Sequence, residues 1–200
     1  MFDAALRPHF DRVIDPVGRW CAARGISASK VTIIGFTLGV AAALAVVMGM
    51  MLVAFVLILL NRLCDGLDGA IARATSPTDF GGFLDIVFDF IFYAMIPFSF
   101  ALYDPANALA ACFLVVSFSG TAVSFLAFST MAEKRGLSSQ DRGVKSLYFL
   151  GGLTEGFETT VFLLAMTATS EWFVYYAYVF GVLCWVTAIT RVLEAKILLR

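Results

Sequence analysis

The sequence has few charged residues for its size. Only 14% of its 200 residues are Asp, Glu, Lys or Arg, whereas a soluble domain carries about 25%. With 60% hydrophobic residues and a mean hydropathy of +0.89, the chain lacks the polar side chains that a water-exposed surface needs. The composition therefore excludes soluble enzyme folds and nucleic-acid-binding proteins, and it indicates an integral membrane protein.

Histidine is nearly absent, and the cysteines are widely separated. His9 is the only histidine, and there is no CxxC motif or Cys/His cluster. Most of the cysteines fall in apolar runs, where free Cys behaves as a small hydrophobe. The four are Cys21, Cys64, Cys112 and Cys184. Zinc, haem and iron–sulfur sites are therefore not expected, and neither are disulfides.

Residues 1–25 lack a continuous apolar stretch, so we do not expect a signal peptide. Their apolar side chains recur at three- and four-residue steps, which places them on one side of a helix. These side chains are Phe2, Leu6, Phe10, Val13, Val17 and Trp20. The pattern predicts an interfacial amphipathic helix that is interrupted at Pro8 and Pro16. A partly ordered cytoplasmic tail is the alternative interpretation.

Six apolar runs follow residue 25, and each is near the roughly 20 residues that cross a hydrocarbon core. They cover about 31–49, 51–74, 80–103, 106–132, 147–169 and 172–197. The predicted fold class is therefore an all-α integral membrane protein with six transmembrane helices after the N-terminal amphipathic helix. No repeat, linker or low-complexity segment occurs, so residues 1–200 are expected to form one domain with a six-helix bundle over 31–197.

The basic residues lie at alternate ends of the predicted spans. The connections near residues 49–50, 104–105 and 170–171 contain no Lys or Arg, while the segments at the other ends are basic. By the positive-inside rule, both termini are predicted to be cytoplasmic.

The second and third predicted spans contain carboxylates that hydrocarbon does not tolerate well. A carboxylate at the bilayer centre costs about 2.5–3.5 kcal/mol on insertion scales, so such groups face a cavity, a cation or one another. Asp65 and Asp68 are three residues apart and Asp85 and Asp89 are four apart, so each pair lies on one helix face. The two helices run in opposite directions from a turn near residues 75–78. All four carboxylates are therefore expected to converge roughly 10–15 Å below that turn.

Close carboxylates repel one another in a low dielectric, and divalent cations or shared protons relieve that repulsion. Their oxygens are hard ligands that suit Mg²⁺, Mn²⁺ or Ca²⁺. Two cations held by four carboxylates form an arrangement that clamps a diphosphate and stabilises the attacking and leaving oxygens. The expected ligands are Asp65, Asp68, Asp85 and Asp89.

Two arginines near these carboxylates have two interpretations each. For Arg73, four residues after Gly69, one interpretation is that it neutralises a phosphate, and the other is that it extends toward the membrane surface. Arg62, three residues before Asp65, is an ion partner of the carboxylates or a ligand contact. The neighbouring glycines let a ligand approach the backbone or simply allow close helix packing.

Residues 65–89 contain a pattern of eight characteristic positions. It is Asp65-x2-Asp68-Gly69-x2-Ala72-Arg73 followed by Gly81-x3-Asp85-x3-Asp89. This pattern closely resembles the signature of the CDP-alcohol phosphotransferases, integral membrane enzymes of phospholipid synthesis. The sequence is most similar to a small bacterial inner-membrane subgroup. Seven residues separate Arg73 from Gly81, where many members have eight.

The start of the first span resembles the family's Pro-Asn-x-x-Thr-x-x-Gly pattern in part. Thr32 and Gly35 match it, whereas Ala28 and Ser29 replace Pro and Asn.

The resemblance implies a transferase of substituted phosphate groups. A CDP-linked alcohol such as CDP-diacylglycerol would donate its phosphoryl-alcohol group, expected here to be phosphatidyl, to a hydroxyl acceptor, and CMP would be released. The four aspartates would hold two Mg²⁺ or Mn²⁺ ions, with Asp89 a ligand or the base that takes the acceptor's proton. The implied CDP-binding residues are Thr32, Asp68, Gly69, Ala72, Arg73 and Gly81. The resemblance also implies a homodimer among inner-membrane lipids with its active site facing the cytoplasm.

The acceptor site is less defined by the sequence. Residues 133–146 include the basic residues Lys134, Arg135, Arg142 and Lys145. Either this cluster binds a phosphorylated acceptor, or it sets the membrane topology by the positive-inside rule and attracts anionic lipids. Glu155 lies at the entrance to the fifth apolar run, where it is expected to pair with a cationic headgroup or with Lys145. Lys145 and Glu155 are therefore the candidate acceptor residues.

A cation or proton transporter that uses intramembrane carboxylates is the alternative function. Such a protein is expected to show inverted repeats or discontinuous helices in two halves. Here the polar residues are concentrated in one helical hairpin, and all four aspartates of the signature are present. The sequence therefore favours the enzyme over a transporter or an inactive scaffold. It leaves open the acceptor alcohol, the metal used in the cell, and whether the lipid is the donor or the acceptor.

Overall fold

The structure, a computed structural model, describes residues 2–136 and 152–199. Seven α-helices and two short 3-10 turns, at Pro105–Asn107 and Ser170–Trp172, form most of these residues. The helices are α1 (Phe2–Ala23), α2 (Ala28–Val47), α3 (Met51–Ala74), α4 (Asp79–Tyr103), α5 (Ala108–Lys134), α6 (Gly156–Ala168) and α7 (Phe173–Leu198). Neither range contains a β-strand. The predicted all-α class is confirmed.

Four segments are long and apolar enough to cross a membrane. They are α2, α4, Pro105–Lys134 and Ser170–Leu198, which include α5 and α7. Helix α3 has 24 residues but carries Arg62, Asp65 and Asp68 near its middle. Helix α6 has 13 residues. The apolar helices support an integral membrane protein, and the six-span arrangement remains a prediction.

The N-terminal helix is continuous, so the predicted interruptions at Pro8 and Pro16 are wrong. Both prolines lie inside α1. A proline in a helix removes one backbone hydrogen bond, and contacts elsewhere can offset that cost. Such contacts exist on the side that faces α3, where a Cβ added to Gly18 would lie 2.5 Å from the Cβ of Ala70. Close packing on α3 therefore accompanies the continuous helix.

The other face of α1 keeps its apolar side chains accessible. Phe10, Val13, Val17 and Trp20 are all exposed. This arrangement suits a helix that rests on a membrane surface, as the sequence predicts.

The fifth apolar run was predicted to cover about 147–169, and its residues 147–151 lie outside the described ones. Among the described residues of this run, α6 begins only at Gly156. Thr154 and Glu155 precede the helix in non-helical conformation. The Glu155 side chain accepts from the backbone at the third helical position, and the Glu158 side chain accepts from the Glu155 backbone N–H. This reciprocal capping box fixes the helix start, which hydropathy alone does not show.

Helices α2, α3 and α4 pack closely because small residues face their neighbours. A Cβ at Gly35 would lie 2.9 Å from the Cβ of Cys64, and one at Gly39 would lie 2.7 Å from the ring of Phe92. The buried Asn61 side chain donates a 2.8 Å hydrogen bond to the Gly35 carbonyl. This contact aligns the start of α2 with the polar part of α3.

Aromatic pairs fill the apolar core further from the turn between α3 and α4. Phe100 stacks on Phe173 with ring centroids 4.3 Å apart, and Phe162 stacks on Phe180 at 4.4 Å. These pairs join α4 to α7 and α6 to α7. The polar residues of α3 and α4 therefore lie nearer that turn, on helices whose other ends are packed in the aromatic core.

Candidate active site

The two carboxylate-bearing helices form a hairpin whose acidic side chains meet. Residues 75–78 join α3 to α4, and the Thr78 hydroxyl caps α4 by accepting a 3.1 Å hydrogen bond from the Gly81 N–H. One carboxylate oxygen from each of Asp65, Asp85 and Asp89 lies within 4.8 Å of the others. The structure therefore brings together three of the four predicted carboxylates.

The fourth carboxylate lies beside this trio but has its own partner. Asp68 is buried, and its Oδ2 accepts a 2.6 Å hydrogen bond from the Thr32 hydroxyl of α2. Thr32 was expected to contact the nucleotide, and the structure places it directly on a signature aspartate. Three helices thus contribute to the site.

A pocket opens over these groups. Its lining comes from α2, α3 and α4 and consists of Thr32, Gly35, Phe36, Asn61, Arg62, Asp65, Asp85, Phe88 and Asp89. Side chains of Asp65 and Asp89 are 36% and 29% exposed, so a solute can reach their oxygens.

The carboxylate trio fits a hard divalent cation. Such ions bind oxygens at about 2.0–2.6 Å, so oxygens on opposite sides of one ion lie about 4–5 Å apart. The separations of up to 4.8 Å among Asp65, Asp85 and Asp89 agree with that spacing. The all-oxygen donor set suits Mg²⁺ or Mn²⁺.

Among the residues that the structure describes, Arg62 is the one that places a positive charge against the trio. Its Nη2 lies 2.8 Å from Asp89 Oδ1, and its Nη1 lies 3.7 Å from Asp65 Oδ2. Of the two interpretations of Arg62, the structure shows the ion partner.

Arg73, the last residue of the first half of the signature, turns toward α1. Its Nη2 lies 2.9 Å from Asp11 Oδ1 and 2.7 Å from Asp15 Oδ1. All three side chains are about one-third exposed, so water and ions compete for these pairs. The Arg73 guanidinium therefore lies at the junction of the amphipathic helix and the signature helix.

The small residues of the signature line the same end of the hairpin. A Cβ on Gly69 would lie 3.4 Å from Nη1 of Arg73, and one on Gly81 would lie 2.9 Å from the Thr78 hydroxyl. Ala72 is half-buried. Gly69 and Ala72 lie in the last turns of α3 and Gly81 in the first turn of α4, and none of the three lines the pocket over the trio.

Only one of the two candidate acceptor residues, Glu155, is among the residues that the structure describes. Lys145 lies outside them. Glu155 is buried and accepts a 3.1 Å hydrogen bond from the Gly152 N–H in addition to capping α6. The structure thus gives Glu155 a structural role at a helix start, and its role toward an acceptor is untested.

Sequence reasoning missed several contributors. Tyr93 contacts both Arg62 and Asp89, and its position four residues after Asp89 on one helix is a signal that could have identified it. Asp11 and Asp15 lie about 60 residues before Arg73 in the chain, and no local pattern connects them.

Comparison with known proteins shows the family of this chain. Residues 26–193 match the family model of CDP-alcohol phosphatidyltransferases. The chain is 44% identical to the inner membrane protein YnjF of Escherichia coli, with 100% of this chain and 98% of that protein covered. It is 28% identical to the archaetidylinositol phosphate synthase of Pyrococcus horikoshii, with 96% and 95% covered.

A solved fold is also similar. The phosphatidylinositol phosphate synthase PgsA1 of Mycobacterium tuberculosis, with CDP-DAG bound, has a TM-score of 0.72 at 24% identity, with 92% of this chain and 94% of that one covered. Its structure with manganese and citrate has a TM-score of 0.70 at 24% identity, with 92% and 88% covered.

The structure combines an all-helical fold in its described residues with a carboxylate cluster on one hairpin, and the family match makes it a membrane transferase by class. The match over most of its length shows that this chain belongs to the CDP-alcohol phosphatidyltransferase family, which confirms the resemblance of the signature.

Proposed function

We propose that this protein transfers a phosphatidyl group from CDP-diacylglycerol to a hydroxyl acceptor and releases CMP. The observation that carries the proposal is the meeting of Asp65, Asp85 and Asp89 in one pocket of a family member. The bound CDP-DAG of PgsA1, together with its similar fold, supports a CDP-linked lipid as the donor.

The reaction breaks the phosphoanhydride bond of the donor and forms a phosphate ester bond to the acceptor. The acceptor oxygen forms a bond to the phosphorus that carries diacylglycerol, while the bond from that phosphorus to the CMP oxygen breaks. The acceptor's proton passes to a carboxylate, for which Asp89 is the candidate, and CMP leaves with the electron pair of the broken bond. Such transfers depend mainly on positioning and charge neutralisation.

The aspartates divide this work. Asp65, Asp68, Asp85 and Asp89 would hold two Mg²⁺ or Mn²⁺ ions, which, when bound, neutralise the diphosphate and make the acceptor hydroxyl more acidic. Thr32 would keep the Asp68 carboxylate in place through its 2.6 Å hydrogen bond. Gly69, Ala72, Arg73 and Gly81 would shape the CDP end of the site. The manganese in a PgsA1 structure supports the choice of ion.

The carboxylates face one end of the bundle, near the turn between α3 and α4. The distribution of Lys and Arg favours the cytoplasm for that end. A site there lets lipid tails remain in hydrocarbon while the headgroup meets a soluble acceptor. We therefore infer cytoplasmic termini in a bacterial inner membrane. The single domain over residues 1–200 and the homodimeric assembly are proposed on the family resemblance.

Purified protein incubated with CDP-diacylglycerol and a panel of alcohols tests the proposal. Mass spectrometry of the lipid products should show a new phosphatidyl-alcohol and an equal amount of CMP. EDTA should stop the reaction and added Mg²⁺ or Mn²⁺ should restore it, because the ions are integral to the proposed site. Transfer that persists in excess EDTA would contradict the cation role, and no CMP release with any acceptor would contradict the reaction.

A further inference from the structure

Every nitrogen of the Arg62 guanidinium is hydrogen-bonded within the site. Nε donates to Asn61 Oδ1 at 2.7 Å, Nη1 donates to the Tyr93 hydroxyl at 2.9 Å, and Nη2 donates to Asp89 Oδ1 at 2.8 Å. Asn61 in turn donates to the Gly35 carbonyl. The guanidinium is therefore held at a fixed place and orientation by groups from α2, α3 and α4.

This arginine does not extend to the membrane surface. Its side chain is only 12% exposed, and its guanidinium carbon lies 4.7 Å from the ring centroid of Phe92 and 5.2 Å from that of Tyr93. Aromatic rings that exclude water leave the charge weakly screened. Its electrostatic effect on the neighbouring carboxylates is therefore large.

The Asp89 carboxylate is held at both oxygens. Oδ1 accepts from Arg62, and Oδ2 accepts a 3.3 Å hydrogen bond from the Tyr93 hydroxyl. Two donors on two helices restrict rotation of this carboxylate. The Arg62 charge also reaches Asp65 at 3.7 Å, so it faces two members of the trio that would bind a cation.

We propose that Arg62 and Tyr93 are positioning residues that orient Asp89, and that the fixed charge of Arg62 limits the affinity of the carboxylate trio for divalent cations. The positioning role, which concerns turnover, rests on the proposed function. The ion-binding part does not, because it concerns only the charges that surround the trio. With Arg62 present, the trio binds divalent cations with lower affinity than three carboxylates alone would.

Titration of purified protein with Mn²⁺, followed by electron paramagnetic resonance of the free ion, tests the charge. Arg62→Gln should lower the dissociation constant for Mn²⁺ by about tenfold or more, because it removes a positive charge 2.8 Å from an Asp89 oxygen and 3.7 Å from an Asp65 oxygen. Arg62→Lys keeps the charge and should bind Mn²⁺ as the wild type does. Arg19→Gln is the matched control, because Arg19 is exposed on α1, and it should leave the affinity unchanged.

Kinetics with CDP-diacylglycerol test the orientation. Tyr93→Phe removes one hydrogen bond to Asp89 without changing any charge. It should lower kcat by about tenfold at nearly constant donor KM and leave Mn²⁺ affinity as in the wild type. Arg62→Gln should lower kcat further, and Arg62→Lys should recover part of that loss.

The outcomes separate this proposal from the proposed function. Mn²⁺ affinity in Arg62→Gln that equals or falls below the wild-type value would overturn the charge effect, whether or not the enzyme turns over. A kcat in Tyr93→Phe equal to that of the wild type would overturn the positioning role. If Arg62→Gln yields no folded protein, the charge effect is judged on Arg62→Met by the same criterion, and Tyr93→Phe still decides the positioning role.

Discussion

The Thr32 hydroxyl donates a 2.6 Å hydrogen bond to the Asp68 carboxylate, and both side chains are buried. This bond joins the start of α2 to the signature on α3. The hydroxyl replaces part of the hydration that the carboxylate loses when it is buried. A buried acceptor that loses its donor costs about 1–3 kcal/mol, and more when it is charged.

Thr32→Val should therefore disturb Asp68 while keeping the size of the side chain. We expect CMP release to fall by about tenfold or more, in line with a lost buried hydrogen bond. Thr37→Val is the matched control, because Thr37 is exposed on the same helix and its hydroxyl donates to the Ile33 carbonyl. Equal rates in Thr32→Val and the control would show that the bond is dispensable.

Asp68→Asn and Asp89→Asn should each abolish CMP release from a CDP-linked lipid. Each change keeps the shape of the side chain but removes a charge that the cations and the acceptor's proton require. The measurement is CMP release by the purified variants, with elution from a sizing column as the check on folding. Asp104→Asn changes an aspartate that caps the turn after α4, far along the helix from the trio, and should remain active. Turnover in both active-site variants would refute the site.

We expect the pairing of Arg73 with α1 to weaken donor binding. In the double variant Asp11→Asn and Asp15→Asn, the guanidinium no longer has competing carboxylates. Since two exposed ion pairs at about 0.2–1 kcal/mol each contribute about 0.4–2 kcal/mol together, the donor KM should fall by about two- to thirtyfold. Arg73→Gln should raise it.

Steady-state kinetics at low and high salt measure this effect, which should shrink as salt increases. Arg12→Gln, at an exposed position on α1, is the control for a change of charge on that helix. A donor KM that rises in the double variant would instead mean that Asp11 and Asp15 orient Arg73 for the donor.

Glu155 can be tested for its two roles separately. Glu155→Ala removes the cap of α6 and should lower stability by about 0.5–2 kcal/mol, measured as thermal unfolding in detergent. Glu155→Gln keeps a side-chain oxygen that can accept from the Gly152 N–H, so it should unfold close to the wild-type temperature. A shift in acceptor preference in Glu155→Gln would establish a headgroup contact, and an unchanged acceptor profile would leave only the capping role.

The helices and the pairing of carboxylates on helix faces were predictable from local pattern. Runs of apolar residues gave the positions of α2 to α5 and α7 to within a few residues. Spacings of three and four residues placed Asp65 with Asp68 and Asp85 with Asp89, because a helix turns once in 3.6 residues. The hairpin then required the two faces to meet, and the trio confirms this for Asp65, Asp85 and Asp89.

Two local expectations failed because contacts outside the pattern decided them. Packing of Gly18 on Ala70 accompanies an α1 that continues through both prolines. The capping box of Glu155 and Glu158 begins α6 later than the hydropathy indicates.

The sequence by itself determined an all-helical membrane protein of a known family, with acidic residues on one hairpin, because hydrophobic length and helical period act over short stretches of chain. Only the tertiary structure decided the partner of each charge. Asp68 pairs with Thr32, Arg62 pairs with Asp89, and Arg73 turns to α1. These partners lie about 30 to 60 residues apart in the chain, and the packing of separate helices is what brings such residues within hydrogen-bond distance.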